Sequence, residues 1–183
     1  RLVVPDKADL ARVRARISNP ELEGRGGPGF GPGFGPRARG AGSGAPALRG
    51  WSESEVRELF SRTRKGAAEV LRGRIGDLPA DQRLAALRGA ERIGQSGLVI
   101  ELSHDVDARA DQARNEVRVT TGLLDAIDAE AKKLPAAERT AFRHKALSAI
   151  FGHELAHQGG ISSERFADRI GITTANETVG KLT

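Results

Sequence analysis

Between residues 24 and 50 the chain cannot build a core. Gly27-Pro28-Gly29-Phe30 repeats as Gly31-Pro32-Gly33-Phe34, and Gly-, Ala- and Arg-rich sequence follows. Nearly half of the 23 glycines fall in this stretch. It buries too little apolar area to offset the entropy of ordering it, so it reads as a flexible tether, roughly 30 Å end to end as a Gly-rich coil. The chain therefore divides into an N-terminal segment, 1–23, a linker, 24–50, and a folded domain, 51–183. In the first segment, Val13 and Ile17 lie one turn apart on a short amphipathic helix expected over about 6–17.

Composition narrows the chemistry. There is no Cys, which excludes disulfides and thiolate metal sites. With six Phe, one Trp and no Tyr, the core must rest on Leu, Ile, Val and Ala. The apolar run Ala146–Phe151 is far too short to span a bilayer, and no signal peptide is visible. The sequence begins at Arg1 and has no Met, so its natural N-terminus is expected upstream. Localisation is not legible. Residues 1–95 carry 18 Lys/Arg against 11 Asp/Glu, and residues 96–183 carry 11 against 13. Such asymmetry suits an anionic partner, but a solvated Arg-rich helical surface accounts for it better.

Folding is expected to start at Trp51. Ser52 and Glu55 form a capping box, and Val56, Leu59, Phe60, Ala67, Val70 and Leu71 then share one helical face. Pro79 and Asp81 open a second helix, with Leu84, Leu87 and Ile93 expected inward. Residues 97–102 and 116–120 read as strands. Helices follow over about 122–133 and 136–158, the latter ended by Gly159-Gly160. Ser162 or Ser163 caps a short helix through about Arg169. The fold class is α+β, mainly helical, with a small sheet ahead of the key helix.

That helix carries His153-Glu154-Leu155-Ala156-His157. Four-residue spacing projects both imidazoles from one side, one turn apart, where both can bind one zinc ion. Glu154, offset by one position, flanks the metal and can take a proton from a water activated by zinc. A third ligand is needed. Glu164 lies seven residues beyond His157, past the Gly-Gly reversal, with Asp168 on the same face. A carboxylate ligand at Glu164 and an Asp168 that accepts from a ligand His would complete the site. Taken alone, the two read as a solvated charged helix. His144 falls on the opposite side of its helix, and His104 reads as a surface residue.

The pattern resembles a family. Asn115–Ala126 is similar to the strand and turn before the active-site helix of HtpX-like and CAAX-prenyl-protease-like gluzincin metallopeptidases. Phe151–His157 resembles their His-Glu helix, and Ser163–Gly171 their Glu-x-x-Ala-Asp element. The resemblance covers about residues 97–172. It implies a zincin-like minidomain that hydrolyses peptide bonds in a protein or peptide substrate. It also implies Zn2+ held by His153, His157 and Glu164, Glu154 as general base, and Asp168 orienting a ligand. An edge strand at 116–121 would pair with extended substrate. Six residues separate His157 from Glu164, where the family has a long insertion. With no Tyr present, His104, Arg165 or Arg169 would have to stabilise the oxyanion. A metzincin arrangement would put Ser163, a poor zinc ligand, in the third position. Two other readings stand beside the peptidase: an inactive binding module on the same fold, and a basic nucleic-acid-binding protein with an incidental motif.

Overall fold

A computed structural model describes residues 48–179. The expected helix at 6–17 and residues 24–47 of the linker lie outside the described residues. The first helix, α1 (Glu53–Arg74), begins as its sequence demands: Ser52 Oγ accepts from the Glu55 amide at 3.1 Å, and Glu55 Oε2 accepts from the Ser52 amide at 3.3 Å. Its buried face comprises Val56, Leu59, Phe60, Thr63, Ala67, Ala68, Val70 and Leu71. Trp51 is buried just before it and donates from Nε1 to the Leu124 carbonyl. After a 3-10 turn at Ile75–Asp77 comes α2 (Ala80–Gly94).

Helix α2 corrects one expectation. Ile93 is buried, but Leu84 and Leu87 are 58% and 46% exposed. The face that packs is Ala86, Gly89, Ala90 and Ile93. At Gly89 the helix backbone comes so close to Gly159 that even a Cβ would overlap its carbonyl oxygen. Leucines turned inward would hold the helices apart.

The sheet has three strands: β1 (Gly97–Glu101), β2 (Ala108–Asp111) and β3 (Glu116–Thr120). Their order is β1-β3-β2, with β1 parallel and β2 antiparallel to β3. The strand expected at an edge over 116–121 is instead the centre of the sheet, β3, flanked on both sides, and cannot pair with a substrate. Val117 and Val119 alternate inward and are fully buried, as suits a strand flanked on both sides. The true edge near the key helix is β2, whose Ala-Arg-Ala-Asp has no β-branched or aromatic residue to announce it.

Three helices follow: α3 (Thr121–Ala131), α4 (Ala136–Gln158) and α5 (Glu164–Val179). Helix α5 runs well past Arg169, because Ile170, Gly171, Thr174, Ala175 and Thr178 continue a small, buried stripe against α1 and α4. The architecture is α+β and mostly helical. Helix α4 runs through the middle, with α1, α2 and α5 packed around it and the β2–β3 side of the sheet against it. Phe60 and Phe151 meet edge to face at 5.1 Å between α1 and α4. Among the described residues, no helix is long and apolar enough to cross a membrane.

Candidate metal centre

The last turn of α4 and the first of α5 are brought together by two glycines. A Cβ at Gly152 would sit 2.9 Å from Gly171 Cα, and one at Gly171 would overlap the Ala149 carbonyl oxygen. The close crossing places Glu164 and Asp168, one turn apart on α5, against His153. Between the helices the chain reverses in a Schellman motif. Gly160 takes φ +86°, the Ile161 amide donates to Ala156 O at 3.0 Å, and the Gly160 amide to His157 O at 2.9 Å. This reversal carries the Ile161 carbonyl back to the His157 ring.

The imidazoles are held from behind. His157 Nδ1 lies 2.7 Å from Ile161 O, and His153 Nδ1 lies 3.0 Å from Asp168 Oδ1. A carbonyl oxygen can only accept, so His157 Nδ1 carries the proton; the Asp168 carboxylate fixes the same tautomer in His153. In a neutral ring, Nε2 then presents a lone pair. The two Nε2 atoms face each other at 2.9 Å. Glu164 closes the triangle, Oε1 3.2 Å from His157 Nε2 and Oε2 3.3 Å from His153 Nε2. Three acceptors converging in this way are reconciled by a cation.

His153, His157 and Glu164 form a group that could hold a metal ion. Ligand atoms about 2.1 Å from a tetrahedral zinc stand about 3.4 Å apart, so the triangle would open by only a few tenths of an ångström. Two imidazoles and a carboxylate are also a donor set that zinc accepts. The imidazole side is sheltered, with His153 buried, whereas the Glu164 side chain is 68% exposed. Glu154 stands beside the triangle rather than in it, Oε1 4.0 Å from His153 Nε2, its side chain largely buried.

The other candidates lie elsewhere. His144 meets Glu55 at 2.8 Å on another side of α4, beside a cleft of about 220 Å³ lined by Ser52, Glu58 and Arg62 among others. His104 is exposed, and its carbonyl packs against Gly122 at the far end of β3 from Glu116. The α4 terminus contacts the Glu116 end, through Gln158, so His104 is separated from the cluster by the length of the strand. Arg165 and Arg169 are exposed on α5. No protein-family model, curated protein or solved structure matches this chain.

Sequence reasoning passed over several residues that build the site. The Ile161 carbonyl carries no side-chain signal at all. Gly152 and Gly171, in contrast, sit beside the motif residues, and a glycine inside a helix is a usable sign of close packing. Gln158 and Gln112 also went unremarked, although they tie the end of α4 to the β2–β3 hairpin, Gln158 from the helix to Asp111 O and Gln112 from the hairpin to His157 O.

Proposed function

We propose that this protein is a zinc-dependent metallopeptidase. The observation that carries the reading is the convergence of His153 Nε2, His157 Nε2 and the Glu164 carboxylate, with both Nδ1 atoms already committed to Asp168 and Ile161. A bound zinc ion would supply Lewis acidity toward a water molecule and a substrate carbonyl. Glu154 is the general base: its carboxylate takes a proton as water oxygen attacks the carbonyl carbon, then delivers it to the amide nitrogen as the C–N bond breaks. Asp168 and the Ile161 carbonyl keep the rings in one tautomer and orientation.

Substrate would bind as an added strand on β2. In the ladder, Asp107 O accepts from the Thr120 amide, so residues 107, 109 and 111 direct their backbone groups toward β3. The N–H and C=O groups of Ala108 and Ala110 then point off the sheet, where an extended peptide can pair with them. The edge of β1 is less open, since Arg57 reaches Leu98 O and Arg64 reaches Ser96 O.

A second reading has its own support. The chain has no Tyr, and His104 lies away from the cluster, so an oxyanion donor must come from Arg165, Arg169 or substrate-side groups. A metal-binding module without turnover fits that shortage. Metal analysis of purified protein, paired with cleavage of denatured protein substrates before and after chelation, separates the readings. Cleavage lost on chelation and restored by zinc supports the peptidase. One bound metal without cleavage supports the module, and failure to bind metal contradicts both.

A further inference from the structure

Behind His157 the end of α4 is tied to the β2–β3 hairpin by two glutamines pointing in opposite directions. Gln112, in the hairpin, donates from Nε2 to His157 O at 2.9 Å. Gln158, on the helix, donates from Nε2 to Asp111 O at 2.8 Å and to Glu116 O, the two residues that close the β2–β3 ladder. Arg92 of α2 steadies the same turn by bonding Gln112 O, and Asn115 Nδ2 donates back to Arg92 O.

Gln158 is 1% exposed, and its Oε1 finds no hydrogen-bond partner among the described residues. A half-satisfied buried amide is a poor device for stability, because the desolvation of Oε1 is left without a compensating bond and offsets what Nε2 gains. What Gln158 does contribute is register. Its two bonds fix the ends of β2 and β3 relative to the residue next to His157, while Gln112 fixes the hairpin to the His157 backbone itself.

We infer that Gln158 is a positioning residue, which together with Gln112 sets the β2 edge in register with the metal-binding pair. This rests on the peptidase reading above. A substrate strand paired with Ala108 and Ala110 meets the cluster at one position along its length only while that register is held. A misplacement of about 1 Å can cost up to about a hundredfold in turnover efficiency.

The test uses the full chain loaded with zinc, comparing wild type, Gln158→Met and Gln112→Ala. Gln158→Met keeps the volume and removes the donor; Gln112 is exposed, so its loss leaves the core intact. Three quantities are read: zinc affinity, amide hydrogen exchange over residues 108–116, and KM and kcat on a peptide that wild type cleaves. The expected result is zinc affinity within about twofold, faster exchange in the hairpin, and KM raised about tenfold in Gln158→Met and less in Gln112→Ala, with kcat nearly unchanged. The two effects should be less than additive, since both act on one junction. Unchanged KM and exchange in Gln158→Met would overturn the inference, as would a parallel loss of zinc affinity, kcat and stability, which marks a purely structural role. If wild type binds zinc yet cleaves nothing, the peptidase reading falls and this inference falls with it. That outcome is distinct from variants that match an active wild type.

Discussion

The two ends of α4 carry similar residues in opposite electrical states. Near its start, Arg143, His144, Glu55, Asp128 and Trp51 form a closed set. His144 meets Glu55, the Arg143 guanidinium lies 3.5 Å from Asp128 Oδ1 and stacks 4.0 Å from the Trp51 ring, and it also reaches Gly50 O. Here carboxylates face a guanidinium and an imidazole, acceptor meeting donor, and the set serves to hold the start of the fold. Near the end of α4, His153, His157 and Glu164 turn lone pairs toward one another, with the ring protons drawn to the rear. A histidine beside a glutamate is thus not the mark of a metal centre. The balance of donors and acceptors is.

The comparison breaks most sharply at the ligands. His153→Ala or His157→Ala should abolish stoichiometric zinc and all peptidase activity, whereas His144→Ala should leave one zinc per chain. Elemental analysis after dialysis reads this directly, and zinc lost from all three alike would erase the distinction between the two ends. Next in size is Glu154→Gln, expected to keep zinc while kcat falls about 10²- to 10⁴-fold, because a proton carrier is lost and no ligand. Asp168→Asn should weaken zinc binding about 10- to 100-fold by loosening the His153 ring, measurable by competition with a chromophoric chelator. At the closed end effects on zinc should be small. Arg143→Met should cost about 1–3 kcal/mol in denaturant unfolding, with zinc affinity unchanged, since the ring contact with Trp51, the pairing with Asp128 and the bond to Gly50 O are lost together.

Much of this was readable in advance, and the exceptions share a cause. The capping box at Ser52–Glu55 and the bounds of α4, from Ala136 to Gln158, follow from local chemistry, and local chemistry is what a sequence displays. Leu84 and Leu87 misled because periodicity marks apolar faces, while the α2–α4 contact selects for closeness and so for Gly89 and Ala90. Strand β2 and the central place of β3 depend on pairing between distant segments, and Ala108–Asp111 has no propensity to betray it. In the candidate site, His153, Glu154, His157, Glu164 and Asp168 carry a spacing that chemistry can interpret. The Ile161 carbonyl and the Gln112–Gln158 ties act through backbone atoms and tertiary register, and leave no such spacing.

Metal should also show in stability. On the proposed reading zinc binds only the assembled triangle, so chelation should lower Tm, by an amount that grows with the free zinc concentration of the starting sample. His153→Ala, lacking the triangle, should melt at one temperature with or without chelator.

The most direct test of the central claim is the equilibrium zinc affinity of Glu154→Gln set beside that of Glu164→Gln. The geometry places Glu164 within the triangle and Glu154 beside it. The account predicts that Glu154→Gln binds one zinc with wild-type affinity, while Glu164→Gln loses affinity by at least about tenfold. Equal losses in both variants, or wild-type affinity in Glu164→Gln, would contradict it.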